Sequence, residues 1–219
     1  MAAWAVACAP AADDPESLRV EPPASSAGPS RPTVVFLGTS LTAGYGLTTD
    51  EAYPALIQGK IDAAGLDFRV VNAGVNGATS AEGRARIDWL LRQPVDVLVL
   101  ELGANDGLRG RDIAAMRENL QAIIDRTRAA YPDVTIVIAG MEAPPNLGRP
   151  YTQEFRRTFR ELAEANDALL IPFLLEGVAA EPGLNQADGI HPTAEGHRLV
   201  AENVWGVLRP VLRRVSGKR

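Results

Sequence analysis

Val34-Val35-Phe36-Leu37-Gly38-Thr39-Ser40-Leu41-Thr42-Ala43-Gly44 reads as a short buried strand that stops at Gly38 and leaves Ser40 on the turn after it. Its apolar residues run on without alternation, the pattern of a strand covered on both faces. Four more such runs follow, at Phe68–Asn72, Val95–Leu102, Val134–Gly140 and Ala168–Phe173. Helical patterns separate them. Asp50 is positioned to cap a helix through Leu56, Ile57 and Ile61 that ends at Gly65. Thr79 and Glu82 fit a capping box ahead of Ile87, Leu90 and Leu91. Ile113, Met116, Leu120, Ile123 and Ile124 recur on one helix face, as do Tyr151, Phe155, Phe159 and Leu162. Leu199, Val200, Val204, Val207 and Leu208 form the last face, with Pro210 expected near its end. Alternating strands and helices predict a parallel sheet with helices on both faces. The expectation is an α/β protein: one three-layer α/β/α domain with a flavodoxin-like, five-stranded sheet of order 2-1-3-4-5.

The 219 residues suit one domain, and a domain of this size buries roughly 70% of its unfolded surface. A net charge of −5 and only 5% aromatic residues argue against a nucleic-acid partner. No apolar run reaches the ~18 residues of a membrane span. The single cysteine, Cys8, excludes an intrachain disulfide and CxxC motifs. The two histidines and scattered carboxylates show no metal-ligand spacing, so neither a metal nor a cofactor is expected.

Residues 1–31 read as a signal-like remnant and a disordered, Pro/Ser-rich linker, leaving 32–219 as the domain. Ala5-Val6-Ala7-Cys8 resembles a bacterial lipobox, in which Cys8 carries a lipid anchor. It departs from that pattern at Ala5, where leucine is usual, and it lacks the basic n-region and most of the apolar core. A flexible terminus with an incidental cysteine is the alternative. The location that follows is periplasmic or secreted, with a lipoprotein included; a cytoplasmic location stays open.

In open parallel sheets, ligands bind beyond the carboxyl ends of the strands, where strand order reverses. Ser40 follows strand 1, Gly77 follows strand 2 and Asn105 follows strand 3, so Ser40 and Asn105 should face each other with Gly77 arriving from the other side. A serine hydroxyl attacks only when a neighbour takes its proton. His191 lies in a loop after strand 5 and must recross strands 4, 3 and 1, about 15 Å at ~4.8 Å per strand. The Leu174–Gly189 connection is long enough at ~3.3 Å per residue. Asp188, three residues before His191, can turn back and accept from the far ring nitrogen. His197, on the last helix, reads as a packing or surface histidine. Candidate oxyanion donors are the N–H groups of Ser40 and Gly77 and the side-chain amide of Asn105. Taken singly, Gly77 reads equally as a turn residue and Asn105 as a cap. Asp106 reads as a tie for the turn after strand 3, and Asp96 and Glu101 receive no role. Leu108, Pro144, Leu147 and Tyr151, in the loops after strands 3 and 4, are candidate substrate-binding residues for an apolar acyl group.

Four stretches, around Ser40, Asn72–Gly77, Val99–Gly110 and Asp188–Pro192, together resemble the SGNH (GDSL) hydrolases over about Pro32 to Leu212. The last two look like near-verbatim blocks of the bacterial thioesterase, lysophospholipase and arylesterase branch. The resemblance implies Ser40, Gly77, Asn105 and His191 as the four block residues, with Asp188 completing a triad. Three positions depart: Thr39 stands where aspartate is usual, and Gly74 and Ala78 replace polar residues. The common α/β-hydrolase pattern fits less well, because Thr42 stands where its second glycine belongs.

The reading is a metal-independent serine esterase or thioesterase acting on a small ester or thioester through an acyl-enzyme on Ser40. A carbohydrate O-deacetylase on the same fold is the nearest alternative. A flavodoxin-like FMN carrier is a distant one, since the Asp188–His191 pairing would have no task there.

Overall fold

The computed structural model describes residues 31–217; Cys8 and the signal-like segment lie outside the described residues. Five parallel strands, β1 (Thr33–Gly38), β2 (Arg69–Gly74), β3 (Val97–Glu101), β4 (Thr135–Ala139) and β5 (Leu169–Ile171), form one sheet of order β2-β1-β3-β4-β5. This is the expected order. Its helices are α1 (Ser40–Ala43), α2 (Tyr53–Ala63), α3 (Ser80–Leu90), α4 (Ala104–Leu108), α5 (Ile113–Ala130), α6 (Arg149–Ala165) and α7 (Ala194–Ser216), with a 3-10 turn at Pro145–Leu147. The chain steps from β1 outward to β2, then reverses through β3, β4 and β5. Right-handed crossovers therefore place α2 on one face and α3, α5 and α6 on the other. α7 packs on α2, and α3 packs on α5.

Burial follows the sheet order. Every residue of β1 and β3 is buried, as expected for interior strands, whereas β2 is an edge strand and is half exposed. β2 also runs to Gly74, past the Asn72 at which the sequence pattern stops, because its last residues still pair with Leu37 and Gly38. Two helix ends match their sequence signals. Thr79 and Glu82 make both bonds of the capping box. Gly65, at φ +66°, ends α2 with the Leu66 N–H returning to the Ile61 carbonyl, a Schellman closure.

Two signals are overridden. Asp50 does not cap α2: the helix starts at Tyr53 behind Ala52, which offers no side-chain cap. The Tyr53 N–H is instead taken by His197 Nδ1, 3.1 Å away on α7, and Pro54 brings no N–H to the first turn. Nor does Pro210 mark the end of α7, which runs on to Ser216. The residue one turn before it is Gly206, where no side chain adds to the crowding of the proline ring. Val211 and Leu212 beyond it are buried, and that packing carries the helix through the missing bond.

His197 is a packing histidine, 1% exposed, with its ring stacked on Tyr53 at 6.1 Å. Burial, then the nearby charge of His191, lowers its pKa to about 4, with Glu51 opposing. Between about pH 6.5 and 4 the folded chain thus binds fewer protons here than the unfolded chain. The stability from this group is intact above 6.5 and is lost as pH falls through 4. Glu101 has the opposite sign. Burial raises it to about 7, so its contribution is intact below 4.5 and lost as pH rises through 7. Replacing His197 by asparagine keeps an acceptor for the Tyr53 N–H but removes the titration. Urea unfolding should show wild type losing about 2 kcal/mol more than His197→Asn between pH 6.5 and 4.5. Parallel pH slopes for the two proteins would remove His197 as the source.

Candidate active site

The site begins where β1 ends. Gly38 pairs with Gly74 of β2 and Glu101 of β3, so three strand ends lie level. Thr39 then caps α1, its hydroxyl accepting the Leu41 N–H, and Ser40 opens the helix. Gly44, at φ +76°, turns the chain out again. A Cβ on Gly74 would meet Ala43 N at 2.2 Å, so only glycine lets β2 finish against α1. Ala78 is buried as well, and its carbonyl serves as an acceptor. Close packing thus accounts for two of the three departures.

The loop after β5 returns across the sheet ends to Ser40. An isolated bridge between Asn185 and Pro192 closes it, and the Gln186 N–H donates to the His191 carbonyl at 2.7 Å. Within the loop, Asp188 Oδ1 accepts the N–H groups of Ile190 (2.9 Å) and His191 (3.0 Å). Asp188 Oδ2 lies 2.7 Å from His191 Nδ1, and His191 Nε2 lies 2.9 Å from Ser40 Oγ. The His191 N–H, its ring and the Ile190 N–H together hold the Asp188 carboxyl well below the usual range. An ionised Asp188 accepts only, so Nδ1 carries the proton and Nε2 is left to accept from the Ser40 hydroxyl. Such a relay can turn a hydroxyl into a nucleophile for a carbonyl carbon. Ser40 is 8% exposed.

Gly77 and Asn105 come together on the segments after β2 and β3. Val75–Ala78 is a tight turn closed by the Ala78 N–H on the Val75 carbonyl, with Gly77 third at φ +74°. A positive φ at the third position of such a turn is the place for glycine. Asn105 Nδ2 donates to the Ala78 carbonyl at 3.0 Å, leaving the second N–H of that amide for a ligand.

The model of the GDSL-like lipase/acylhydrolase family matches residues 36–199. Esterase TesA of Pseudomonas aeruginosa is 40% identical over 181 residues, covering 82% of this chain and 89% of that protein. Thioesterase 1/protease 1/lysophospholipase L1 of Escherichia coli K12 is 37% identical over 182 residues, covering 82% and 85%. The crystal structure of the psychrotrophic esterase EstA from Pseudoalteromonas sp. matches with a TM-score of 0.78 at 33% identity, over 83% of this chain and 98% of that one. The chain belongs to the GDSL-like lipase/acylhydrolase family. Membership makes it an ester-bond hydrolase and retires the flavin-carrier alternative.

Several residues of this GDSL hydrolase matter more than their sequence signals suggest. Glu101 is fully buried and accepts the Thr39 N–H (2.8 Å), the Thr39 hydroxyl (3.0 Å) and the Thr42 hydroxyl (2.7 Å). Thr39, the third departure, therefore offers hydroxyl donation to Glu101 where aspartate would bring a second carboxylate. Tyr45 lays its ring against His191 at 4.6 Å, and Gln186 ties the two loops by donating to the Tyr45 carbonyl at 2.7 Å. No spacing rule marks these residues, because each partner lies far off in sequence. Asp106 does tie its turn: it accepts from both the N–H and the hydroxyl of Ser80 at 2.8 Å.

Among the candidate substrate residues, Leu108 is 44% exposed, whereas Pro144, Leu147 and Tyr151 are half-buried. Leu147 reaches Gly110, and the Tyr151 hydroxyl donates to the Arg111 carbonyl at 2.8 Å, so the loops after β3 and β4 touch. None of the four lines the cavity of about 570 Å³ beside α6, which is walled by Glu142, Arg156, Phe159 and Leu170.

Proposed function

We propose that the protein is a serine esterase and thioesterase that works through an acyl-enzyme on Ser40. The observation that carries this reading is the unbroken line from Asp188 Oδ2 through both His191 nitrogens to Ser40 Oγ, at 2.7 and 2.9 Å. His191 takes the Ser40 proton as Oγ attacks the acyl carbonyl. The oxyanion is stabilised by the Ser40 and Gly77 N–H groups and the Asn105 amide. The Ser40 N–H is a first-turn helix donor with no intrahelical partner, which supports its part in this trio. Protonated His191 then donates to the departing alcohol or thiol. Water, deprotonated by the same imidazole, attacks the acyl carbon; the bond to Ser40 Oγ then breaks, Oγ takes back the proton from His191, and the carboxylic acid leaves. Asp188 holds the imidazole in the tautomer that this cycle needs.

Ser40→Ala should leave a folded protein with kcat lower by roughly 10⁴–10⁶-fold. A monoethylphosphonate inhibits the relative EstA, so a fluorophosphonate probe is a suitable reporter. It should label wild type once and Ser40→Ala not at all, and labelling at any other residue would overturn the assignment.

The acyl group is assigned to the apolar surface of Leu108, Pro144, Leu147 and Tyr151. Each methylene buried there adds up to ~0.8 kcal/mol. Initial rates over p-nitrophenyl esters should give a kcat/KM that rises from acetate to a medium chain and then levels. Leu108→Ala or Leu147→Ala should move that optimum and leave acetate hydrolysis nearly intact. A strict preference for acetyl esters would discard this surface and favour the carbohydrate O-deacetylase.

No helix among the described residues is long and apolar enough to cross a membrane. The small apolar run Met1–Ala12 ahead of a Pro/Ser-rich segment supports a periplasmic or secreted enzyme, with Cys8 as its lipid anchor. In a bacterial host, with a basic n-region and a full apolar core supplied ahead of Ala5, the protein should then partition into a detergent phase and its Cys8→Ala variant into the aqueous phase. Aqueous partitioning of both would remove the anchor.

A further inference from the structure

The peptide unit between Gly38 and Thr39 is gripped at both ends by groups of opposite charge. Its carbonyl accepts from Arg86 Nη2 at 2.8 Å and from the Val75 N–H at 3.1 Å. Its N–H donates to Glu101 Oε2 at 2.8 Å. Glu101 arrives from the end of β3, and Arg86 reaches in from the middle of α3. The other terminal nitrogen of Arg86 donates to the Ala73 carbonyl, so one guanidinium joins the ends of β1 and β2.

Neither side chain belongs to the relay of Ser40, His191 and Asp188. Both are nonetheless held at a cost. Arg86 Nε is buried without a hydrogen-bond partner, and burial lowers the pKa of this guanidinium against the charges of Glu101 and Glu82. Glu101 has no exposed surface, and burial raises its carboxyl to about 7 despite its donors. The groups that face it are Thr39 and Thr42 from the β1–α1 turn, Tyr53 from α2 and Arg86 from α3. Tyr53 donates to the Thr42 hydroxyl at 2.7 Å, and burial and the Glu101 charge hold its phenol protonated. Polar groups kept dry at such cost, around one peptide, point to a need for that peptide's position.

That peptide sits one residue before Ser40. Helix α1 is a single turn of four residues and has little rigidity of its own. What fixes it is Glu101, which holds Thr39 at its cap and Thr42 within it, and Arg86, which holds the carbonyl behind it. We infer that Glu101 and Arg86 are positioning residues, acting through the Gly38–Thr39 peptide to keep Ser40 Oγ in line with His191 Nε2 and so setting turnover rather than substrate affinity. The inference rests on the reading of Ser40 as nucleophile. An amide oxygen could accept the Thr39 N–H as the carboxylate does, so the grip is separable from the charge.

The test compares Glu101→Ala, Glu101→Gln, Arg86→Met and Ser40→Ala with wild type. It measures kcat and KM on p-nitrophenyl butyrate, the rate constant for fluorophosphonate labelling, and the melting curve. Glu101→Ala and Arg86→Met should lower kcat and the labelling constant in parallel by about 10- to 100-fold, the size of one hydrogen bond to a charged group. KM should stay within about twofold. Glu101→Gln should recover to within about threefold of wild type. If Glu101→Ala fails to fold, Arg86→Met and Glu101→Gln decide the matter. A folded Arg86→Met with wild-type kcat and labelling overturns the inference. So does a loss confined to KM or to melting temperature, or a Glu101→Gln as slow as Glu101→Ala. Labelling of Ser40→Ala would overturn the nucleophile, and the clamp with it. Wild-type rates in the clamp variants, with labelling still confined to Ser40, would overturn the clamp alone.

Discussion

A side chain at Gly38 has nowhere to go: its Cβ would lie 1.9 Å from the Thr42 hydroxyl and 2.6 Å from Glu101 Oε2. Both contacts are to groups that organise the nucleophile turn, so the missing Cβ is the condition under which that turn exists. With Gly38 bare, α1 folds back tightly enough for one carboxyl to hold the Thr39 N–H and two hydroxyls together. Ser40 is thereby offered to the mouth of the site while its neighbours Thr39 and Thr42 are fully buried. The same crowding recurs one strand over, where Gly74 passes Ala43. The β1 and β2 ends and α1 form one packed unit, and the rest of the site is brought to it.

The His191 loop is brought by different means. Its internal order is local: Asp188 accepts the N–H groups of Ile190 and His191 and pairs with the ring of His191, all within three residues. Its placement over Ser40 depends on Gln186, which donates to the carbonyls of Tyr45 and Pro192. A long return loop would ordinarily cost conformational entropy at each catalytic cycle. Here the backbone donors and acceptors are matched before substrate arrives, so the imidazole does not have to be found.

This division explains what could be read from the chain. Residues whose partners lie within a few positions announced themselves, as Asp188 and His191 did by their spacing and Thr79 and Glu82 by their capping box. The strand order followed from the alternation of apolar runs and helical patterns, and the site's location from the reversal at β1. Glu101 was invisible because its partners Thr39 and Thr42 stand some sixty positions away and its strand is otherwise apolar; within that run, a glutamate carries no spacing that marks a function. Arg86 carries no marking spacing either, since its partners Ala73 and Gly38 stand on β2 and β1. Asp50 misled for the converse reason: a good local cap lost to His197, which arrives on a helix 144 positions after Tyr53. Tertiary contacts decided each of these cases, and no window of sequence contains both members of the pair.

The other side of the site is built on a second body. Three residues of the segment after β3 each hold the segment after β2: Asn105 on the Ala78 carbonyl, Asp106 on Ser80, and Arg109 on the Gly77 carbonyl at 3.3 Å. Two of the three proposed oxyanion donors, Gly77 and Asn105, therefore move together. The third, the Ser40 N–H, belongs to the unit fixed by Gly38 and Glu101. What sets the distance between the two bodies is the pairing of β1 with β3, where Gly38 stands opposite Glu101. Glu101 is the last residue of β3, and Gly103 and Asn105 follow at once. The residue that grips the nucleophile turn thus stands only four residues before the one proposed to receive the oxyanion. A strand ladder hardly stretches, so on the proposed reading the sheet fixes the spacing between nucleophile and oxyanion donors, and the loop after β4, which carries none of them, can vary with substrate without disturbing it.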